Sequence, residues 1–306
     1  MRRARVIGSL ACGLLLAGST GAWGQKRLVL GLYAPSMSSL SRVERIREIE
    51  SLAKQLSRQI GQPVSGQSFA RGDDLTRAAK QRRVQIAIVS AQFAAENKWE
   101  PFAALKRGSV ATESWTIVAS GAVSSLRDLK GKTLVIPRTG RNDRRFVSNV
   151  LLEGEVDPSY FNWLLAPDTQ SAVRAVKLGK AAAAALPSTA PTGGLKKVFV
   201  ASGVPAPAAV FISRVPNATR KAIIDAMLKM GQVLGYAGFR AVKNSTYTGL
   251  RQQLLAKAKR KRPIPPRQRP MALAQRDVWT VGKLPIDLPS PLELVTTPRT
   301  RPDDFE

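Results

Sequence analysis

The sequence predicts an α/β protein built largely from parallel strands, because buried-strand patterns alternate with helical ones along the chain. Residues 26–32 form an apolar run rich in Leu and Val, which is typical of a buried strand. In residues 40–60 the apolar side chains recur at helical spacing, and charged side chains fill the opposite face. Residues 85–89 give another buried-strand pattern. Strands that alternate with helices favour parallel pairing, because the helices supply the crossover connections.

The alternation continues to about residue 258. Further strands are predicted at residues 64–70, 115–119, 133–136, 181–186, 198–200 and 209–212, and helices at residues 75–79, 146–151, 169–178, 220–234 and 249–258. Folds of this class bind ligands at the carboxyl ends of their strands, where the loops gather. Three loops are therefore the first candidates for a site: residues 33–36, 90–92 and 138–143.

The N-terminus has the composition of an export signal. Three arginines within residues 1–5 precede an apolar run over residues 6–17, and a small-x-small pattern ends at Gly24. This run is shorter than the about 20 apolar residues that span a bilayer. We therefore predict that residues 1–24 are a signal peptide cleaved near Gly24; a retained anchor helix is the alternative. The only cysteine of the sequence, Cys12, lies inside this segment.

Composition excludes several kinds of catalytic site. The sequence contains no histidine, which rules out Ser-His-Asp and Cys-His catalysis as well as histidine metal ligands. After removal of the signal peptide no cysteine would remain for thiolate chemistry. Asp73 with Asp74 and Asp303 with Asp304 are adjacent carboxylates, but neither pair has a third ligand nearby in the sequence. We therefore predict no enzyme, no metal and no cofactor.

The net charge is strongly positive. Lys and Arg number 48 against 21 Asp and Glu, which gives a formal charge of +27. Such a field attracts anions, and an export signal favours small oxyanions, lipid head groups or cell-wall polymers over nucleic acid. A generally basic background is the alternative explanation, because the arginines are scattered along the chain.

Residues 257–306 differ in character from the rest. Lys, Arg and Pro cluster in residues 257–270 with no acidic residue among them, and no long periodic segment follows. We predict a mostly disordered basic tail. It is either a solvated leash or a contact to an anionic membrane or cell-wall surface.

Six stretches of the chain carry a family resemblance. They are residues 28–35 (LVLGLYAP), 75–90 (LTRAAKQRRVQIAIVS), 126–133 (LRDLKGKT), 172–185 (AVRAVKLGKAAAAA), 202–212 and 238–247. Together they span about residues 27–250. In this order they resemble the phosphonate-type family of periplasmic solute-binding proteins, which serve ABC transporters for phosphate, phosphite or phosphonate and have the type 2 periplasmic-binding fold.

The resemblance implies an α/β fold of two lobes with hinge crossovers. Lobe one would comprise residues 27–118 and 208–256, and lobe two residues 119–207. A monomeric periplasmic protein of this kind closes its lobes over a small anion. It delivers the anion to the permease of an ABC importer at the inner membrane, without a cofactor and without enzymatic activity.

The resemblance also indicates where the ligand would lie. In the family a Ser/Thr-rich turn at a helix N-terminus of lobe two holds the anionic group with its N–H groups. The equivalent turn here is residues 137–143, which keeps one hydroxyl and adds two arginines. The candidate ligand-binding residues are Tyr33, Ser36, Ser90 and Gln92 in lobe one and Arg138, Thr139, Arg141, Asn142, Asp168 and Thr169 in lobe two. For each of them turn or cap chemistry is the alternative.

Two other functions stay open. The protein could be an orphan sensor that presents a ligand to a membrane kinase or cyclase. It could also be a ligand-less structural protein whose basic tail docks to an anionic surface. An enzyme on the same fold is disfavoured, because the porphobilinogen-polymerising enzymes attach their cofactor to a cysteine that the mature chain would lack.

Overall fold

The structure is a computed structural model that describes residues 27–37 and 41–256. The predicted signal peptide and the basic tail lie outside these residues. The described part contains the strands β1 (Leu28–Tyr33), β2 (Val64–Ser68), β3 (Ile86–Val89), β4 (Pro101–Leu105), β5 (Thr112–Ala119), β6 (Thr133–Pro137), β7 (Asn162–Ala166), β8 (Ala183–Pro187), β9 (Lys196–Pro205), β10 (Ala208–Phe211) and β11 (Phe239–Ala241). Its α-helices are α1 (Arg42–Ile60), α2 (Gly72–Lys80), α3 (Ala91–Glu96), α4 (Asp143–Arg145), α5 (Thr169–Lys177), α6 (Asn217–Lys229) and α7 (Asn244–Leu255), and a π-helix (Phe146–Leu151) follows α4 directly.

The first sheet has six strands in the order β11-β4-β10-β3-β1-β2. Strand β1 pairs in parallel with β2 and β3, and the register sets Leu30 opposite Ile86. Strand β10 enters antiparallel between β3 and β4. Helix α1 packs Ile49, Leu52 and Leu56 into the same core cluster as these strands, and all three side chains are shielded from water.

Helix α1 begins and ends at local sequence signals. Ser41 and Glu44 form a capping box, in which each side chain bonds the backbone N–H of the other residue. Gly61 ends the helix in the left-handed conformation, with φ of 66°. Among residues 27–37 and 41–256 no helix, α1 included, is long and apolar enough to cross a membrane.

The second sheet has five strands in the order β7-β6-β8-β5-β9. Strand β6 pairs in parallel with β7 and β8, whereas β5 pairs antiparallel with β8 and β9. Every residue of β8 is buried, and its sequence AAALP is mostly alanine. Small side chains allow close packing of α5, which contributes Ala172 and Val176 to a cluster with Ala184.

Two sequence expectations need correction. Both sheets are mixed rather than largely parallel, because β5 and β10 follow the two chain passages between the sheets and run against their neighbours. The first passage lies between Leu105 and Thr112, before the boundary after residue 118 that the sequence suggests, because β5 belongs to the second sheet. A strand's own residues show that it is buried but not which sheet it joins. Below, lobe one denotes the described part of residues 27–105 and 208–256, and lobe two residues 112–205.

The helical segment after β6 is irregular and anchored at both ends. The sequence predicts a helix here, and the structure has one α-turn, α4, that widens into the π-helix. Phe146 packs edge-on against Trp115, with the ring centroids 5.0 Å apart. Asn149 donates from Nδ2 to the carbonyl of Gln253 in α7, at 3.2 Å. These contacts fix the position of the turn that precedes α4.

A polar cluster lies where the chain passes between the lobes, with Glu113 at its centre. Trp115 donates from Nε1 to Glu113 Oε1 at 2.9 Å, and the Tyr236 hydroxyl donates to Oε2 at 3.2 Å. The Arg107 guanidinium lies 4.2 Å from the centre of the Tyr236 ring. Burial raises the pKa of Glu113 to about 7, against the hydrogen bonds and the Arg107 charge, which lower it. Glu113 therefore stays protonated up to a higher pH than an ordinary carboxyl group does.

This cluster predicts a stability that falls as pH rises. Between pH 4.5 and about 7 the folded state holds the Glu113 proton and the unfolded chain releases it. Raising the pH through this window therefore lowers the free energy of unfolding. Glu113→Gln should remove on the order of 2 kcal/mol of that loss. Urea unfolding at pH 5, 6, 7 and 8 measures it, with Glu100→Gln, an exposed glutamate, as the matched control. An unchanged pH slope in Glu113→Gln would contradict the prediction.

Candidate functional site between the lobes

The loops at the carboxyl ends of four parallel strands meet where lobe one faces lobe two. They follow β1 and β3 in lobe one, and β6 and β7 in lobe two. Direct hydrogen bonds join the two sets of loops. The juxtaposition follows from topology, because the carboxyl ends of parallel strands lie at one edge of each sheet.

The turn before α4 folds around the carboxylate of Asp143. Thr139 N and Gly140 N donate to Asp143 Oδ1 at 3.1 and 2.8 Å. The Thr139 hydroxyl oxygen lies 2.8 Å from the same atom. The first N–H groups of a helical segment have no partner within it, and the dipole favours a negative charge there. Asp143 supplies that charge from within the turn.

The next two N–H groups of the turn meet a carboxylate of the other lobe. Arg141 N donates to Glu96 Oε2 at 2.7 Å, and Asn142 N donates to Glu96 Oε1 at 2.9 Å. Glu96 is the last residue of α3 in lobe one. Four consecutive N–H groups, those of residues 139–142, are thus bonded to carboxylate oxygens of the chain itself.

Gln92 connects the two carboxylates. Its Nε2 donates to Asp143 Oδ1 at 3.0 Å and to Glu96 Oε1 at 2.7 Å. Its Oε1 lies 2.6 Å from the Thr139 hydroxyl. Since a hydroxyl has a single proton, Thr139 donates either to Gln92 or to Asp143. Gln92 and Thr139 are each only 1% exposed and Asp143 is buried, whereas the Glu96 end of the network is partly exposed.

Burial governs the protonation of this network. Burial is the largest of the effects that together raise the pKa of Asp143 to about 6; the hydrogen bonds from Thr139, Gly140 and Gln92 lower it, and the neighbouring Glu96 charge raises it. Removing a carboxylate from water disfavours its ionised form. Asp143 therefore releases its proton at a higher pH than an exposed aspartate.

Other predicted residues also bridge the lobes. The Tyr33 hydroxyl donates to the Arg138 carbonyl at 2.9 Å, and the Ser90 hydroxyl donates to the Thr139 carbonyl at 3.2 Å. Burial raises the pKa of Tyr33, so it stays a donor. Thr169 donates weakly to the Pro35 carbonyl at 3.4 Å. These side chains hold the lobes against each other.

A cavity of about 400 Å³ lies beside this network and opens between the lobes. Lobe one lines it with Tyr33, Ala70, Arg71, Gly72, Asp73 and Phe93, and lobe two with Arg138, Gly140, Arg141, Leu165 and Pro167. Its charged lining residues are thus three arginines and one aspartate. We call this space the arginine cavity.

Asp168 and Ser36 lie on the other side of the facing loops. Asp168 caps α5, accepting from Ser171 N at 2.8 Å, and it lines a separate cavity of about 280 Å³ with Arg45. Ser36 is buried, and its carbonyl lies 3.5 Å from the Thr169 hydroxyl. For Asp168 the cap chemistry that the sequence offered as an alternative is what the structure shows.

The predicted residues therefore gather between the lobes, in three settings. Tyr33, Arg138 and Arg141 line the arginine cavity. The residues Ser90, Gln92, Thr139 and Asn142 belong to the carboxylate network. The third set lies in the segments that follow β1 and β7, and it consists of Ser36, Asp168 and Thr169. Sequence reasoning missed Arg71, Glu96 and Asp143. The spacing of Gln92 and Glu96, one helical turn apart after a buried strand, was a signal for Glu96.

The architecture defines a class of protein: two α/β lobes, joined by two chain passages, with a site between their facing loops. Residues 36–247 match the family described as the periplasmic substrate-binding protein of a phosphonate ABC transporter. This match covers more than half of the chain, so the protein belongs to that family. Its members are periplasmic substrate-binding proteins and not enzymes.

Solved structures show the same fold. A binding-protein component of an ABC phosphonate transporter from Pseudomonas aeruginosa has a TM-score of 0.61 and 18% identity, over 75% of this chain and 85% of that one. PhnD1 from Prochlorococcus marinus, in complex with methylphosphonate, has a TM-score of 0.62 and 13% identity, over 75% and 97%. A Xanthomonas citri protein bound to ATP has a TM-score of 0.59 and 13% identity, over 74% and 96%. Among curated proteins, none matches in sequence. The predicted two-lobed type 2 periplasmic-binding fold is thereby confirmed.

The close approach at Gly140 gives a test of the contact between the lobes. A Cβ at this position would lie 2.6 Å from Gln92 Nε2 and from both carboxylate oxygens of Glu96. Gly140→Ala should therefore displace the ends of the Gln92 and Glu96 side chains and lower the free energy of unfolding by about 1–3 kcal/mol, because their hydrogen bonds to the turn are weakened. Gly121→Ala is the matched control, because a Cβ there meets nothing within 4 Å. Equal stability of the two variants in urea unfolding would contradict the packing described here.

Proposed function

We propose that this protein captures a small oxyanion of the phosphonate, phosphate or phosphite class between its lobes and delivers it to the permease of an ABC importer. The observation that carries the proposal is the arginine cavity, which Arg71, Arg138 and Arg141 line. The family gives the class of ligand. A protein of the same fold was solved with methylphosphonate.

The lining of the cavity suits such a ligand. A guanidinium is a planar fork that donates two parallel hydrogen bonds to an oxyanion, and it stays charged at any pH of interest. Tyr33 and Phe93 pack edge to face, with their centroids 4.7 Å apart, and form an aromatic part of the wall. That wall gives the carbon substituent of a phosphonate an apolar surface to contact.

An incoming anion can readily replace Asp73 as the partner of Arg141 in the cavity. Arg141 lies 3.9 Å from Asp73 across the lobes, and the two side chains are 66% and 64% exposed. An exposed pair at this distance contributes about 0–1 kcal/mol. An oxyanion that takes the place of Asp73 therefore loses little binding free energy to the exchange.

The cellular setting completes the proposal. The chain is exported to the periplasm with cleavage near Gly24, acts as a monomer and does not bind nucleic acid. The basic residues 257–306 contact an anionic membrane or cell-wall surface, which would keep the protein near the permease. These points rest on the sequence and on the family.

Thermal melting with a panel of oxyanions tests the proposal: phosphate, phosphite, methylphosphonate, aminoethylphosphonate and sulfonates. An anion at 100 times its Kd adds about 2.7 kcal/mol to the free energy of unfolding. In a chain of this size that raises Tm by about 5–10 °C. The shift should be lost in a variant that combines Arg71→Ala and Arg138→Ala.

Arg144→Ala is the matched control, because Arg144 is exposed in α4 and is not among the residues that line the cavity. It should retain the full shift. No shift from any anion in the unaltered protein would contradict capture. That outcome would favour the ligand-less structural role. The direct hydrogen bonds between the lobes are consistent with that role.

A further inference from the structure

We infer that Glu96 is a resident anion: its carboxylate occupies the N–H donors of residues 141 and 142 and latches lobe one to lobe two. The inference concerns the site of the proposed function, and its anion-binding consequence rests on that function. It makes Glu96 a residue that determines which donors a ligand reaches.

The contact has the geometry of oxyanion recognition. Each Glu96 oxygen accepts from a different N–H of the turn, at 2.7 and 2.9 Å, as two oxygens of a phosphoryl group would. Hydrogen bonds between N–H groups and an ionised oxygen are about twice as strong as neutral ones. Gln92 holds Oε1 at 2.7 Å from the other side, so the carboxylate is positioned by three donors.

The turn is shaped to admit this carboxylate. Both Glu96 oxygens lie where a side chain on Gly140 would begin, and only glycine leaves that space. The remaining N–H donors of the turn, Thr139 and Gly140, are bonded to Asp143. A ligand oxyanion would thus have to displace Glu96 before it reached the backbone donors, whereas the arginine cavity beside them opens between the lobes.

Two variants separate the latch from mere packing. Glu96→Gln keeps the size of the side chain but turns one acceptor into an amide donor, which would face an N–H of the turn. Glu96→Ala removes the group entirely. Both should loosen the contact between the lobes; Glu96→Gln should free one backbone donor for an oxyanion, and Glu96→Ala should free two. Glu100→Gln and Glu100→Ala are the matched controls, because Glu100 is an exposed glutamate four residues away.

The first measurement is the distance between the lobes. Spin labels at Lys54→Cys in α1 and Arg174→Cys in α5, both exposed, report it in a chain whose single native cysteine is replaced by Cys12→Ser. We expect a longer and broader distance distribution in both Glu96 variants and no change in the Glu100 controls. An unchanged distribution in the Glu96 variants would overturn the latch.

The second measurement is calorimetric titration with methylphosphonate and with inorganic phosphate. We expect Glu96→Ala to bind one of them at least 10-fold more tightly than the unaltered protein, through the freed donors. If the unaltered protein binds and Glu96→Ala neither opens nor gains affinity, the inference fails and capture stands. If the lobes open in Glu96→Ala but neither protein binds an anion, the latch stands and capture fails.

Discussion

Four consecutive backbone N–H groups, in residues 139–142, meet two carboxylates in the cleft, and the contact between the lobes depends on this arrangement. Asp143 comes from the same turn and Glu96 from the opposite lobe. The Thr139 N–H is buried and must be paired, because an unpaired buried N–H costs about 1–3 kcal/mol; the other three N–H groups are partly or fully exposed. Gln92 donates to both carboxylates, the Thr139 hydroxyl lies within hydrogen-bond distance of Gln92 and Asp143, and Gly140 leaves the space. Each of these residues is constrained by the others.

In this basic protein two carboxylates occupy the N–H donors of the turn before α4. The chain has a formal charge of +27, yet two of its carboxylates lie against the donors that would otherwise attract an anion. Arginine charge lies instead on the neighbouring cavity wall, at positions 71, 138 and 141. Recognition by guanidinium forks tolerates more varied oxyanions than a fixed ring of N–H groups, because an arginine side chain can change rotamer.

Much of the fold could be predicted from the sequence. Helix α1 and strands β1, β3 and β6 follow from periodicity and from local caps, and the order of six motifs identified the family. The sequence patterns did not predict the strands β4, β7 and β11. Short segments such as Pro101–Leu105 become strands only through pairing with partners that are distant in sequence. The sheet that β5 joins depends on pairing with β8 and β9, which its own residues do not specify.

The site was predictable in position and less so in chemistry. Loops at the carboxyl ends of strands were expected to meet, and they do. The partner of the turn was not expected, because Glu96 lies 46 residues from Asn142 and nothing local links them. The resemblance to the family's Ser/Thr-rich turn predicted N–H donors that bind a ligand. In the structure the N–H groups of residues 139–142 are instead bonded to carboxylates of the protein itself.

A crystal structure grown with whichever phosphorus oxyanion raises Tm most would test the site directly. Capture in the arginine cavity predicts phosphorus density between Arg71, Arg138 and Arg141, with Glu96 still bonded to the N–H groups of residues 141 and 142. Density on those N–H groups, with Glu96 displaced, would contradict the placement of the ligand. Density outside the cleft would contradict capture between the lobes altogether.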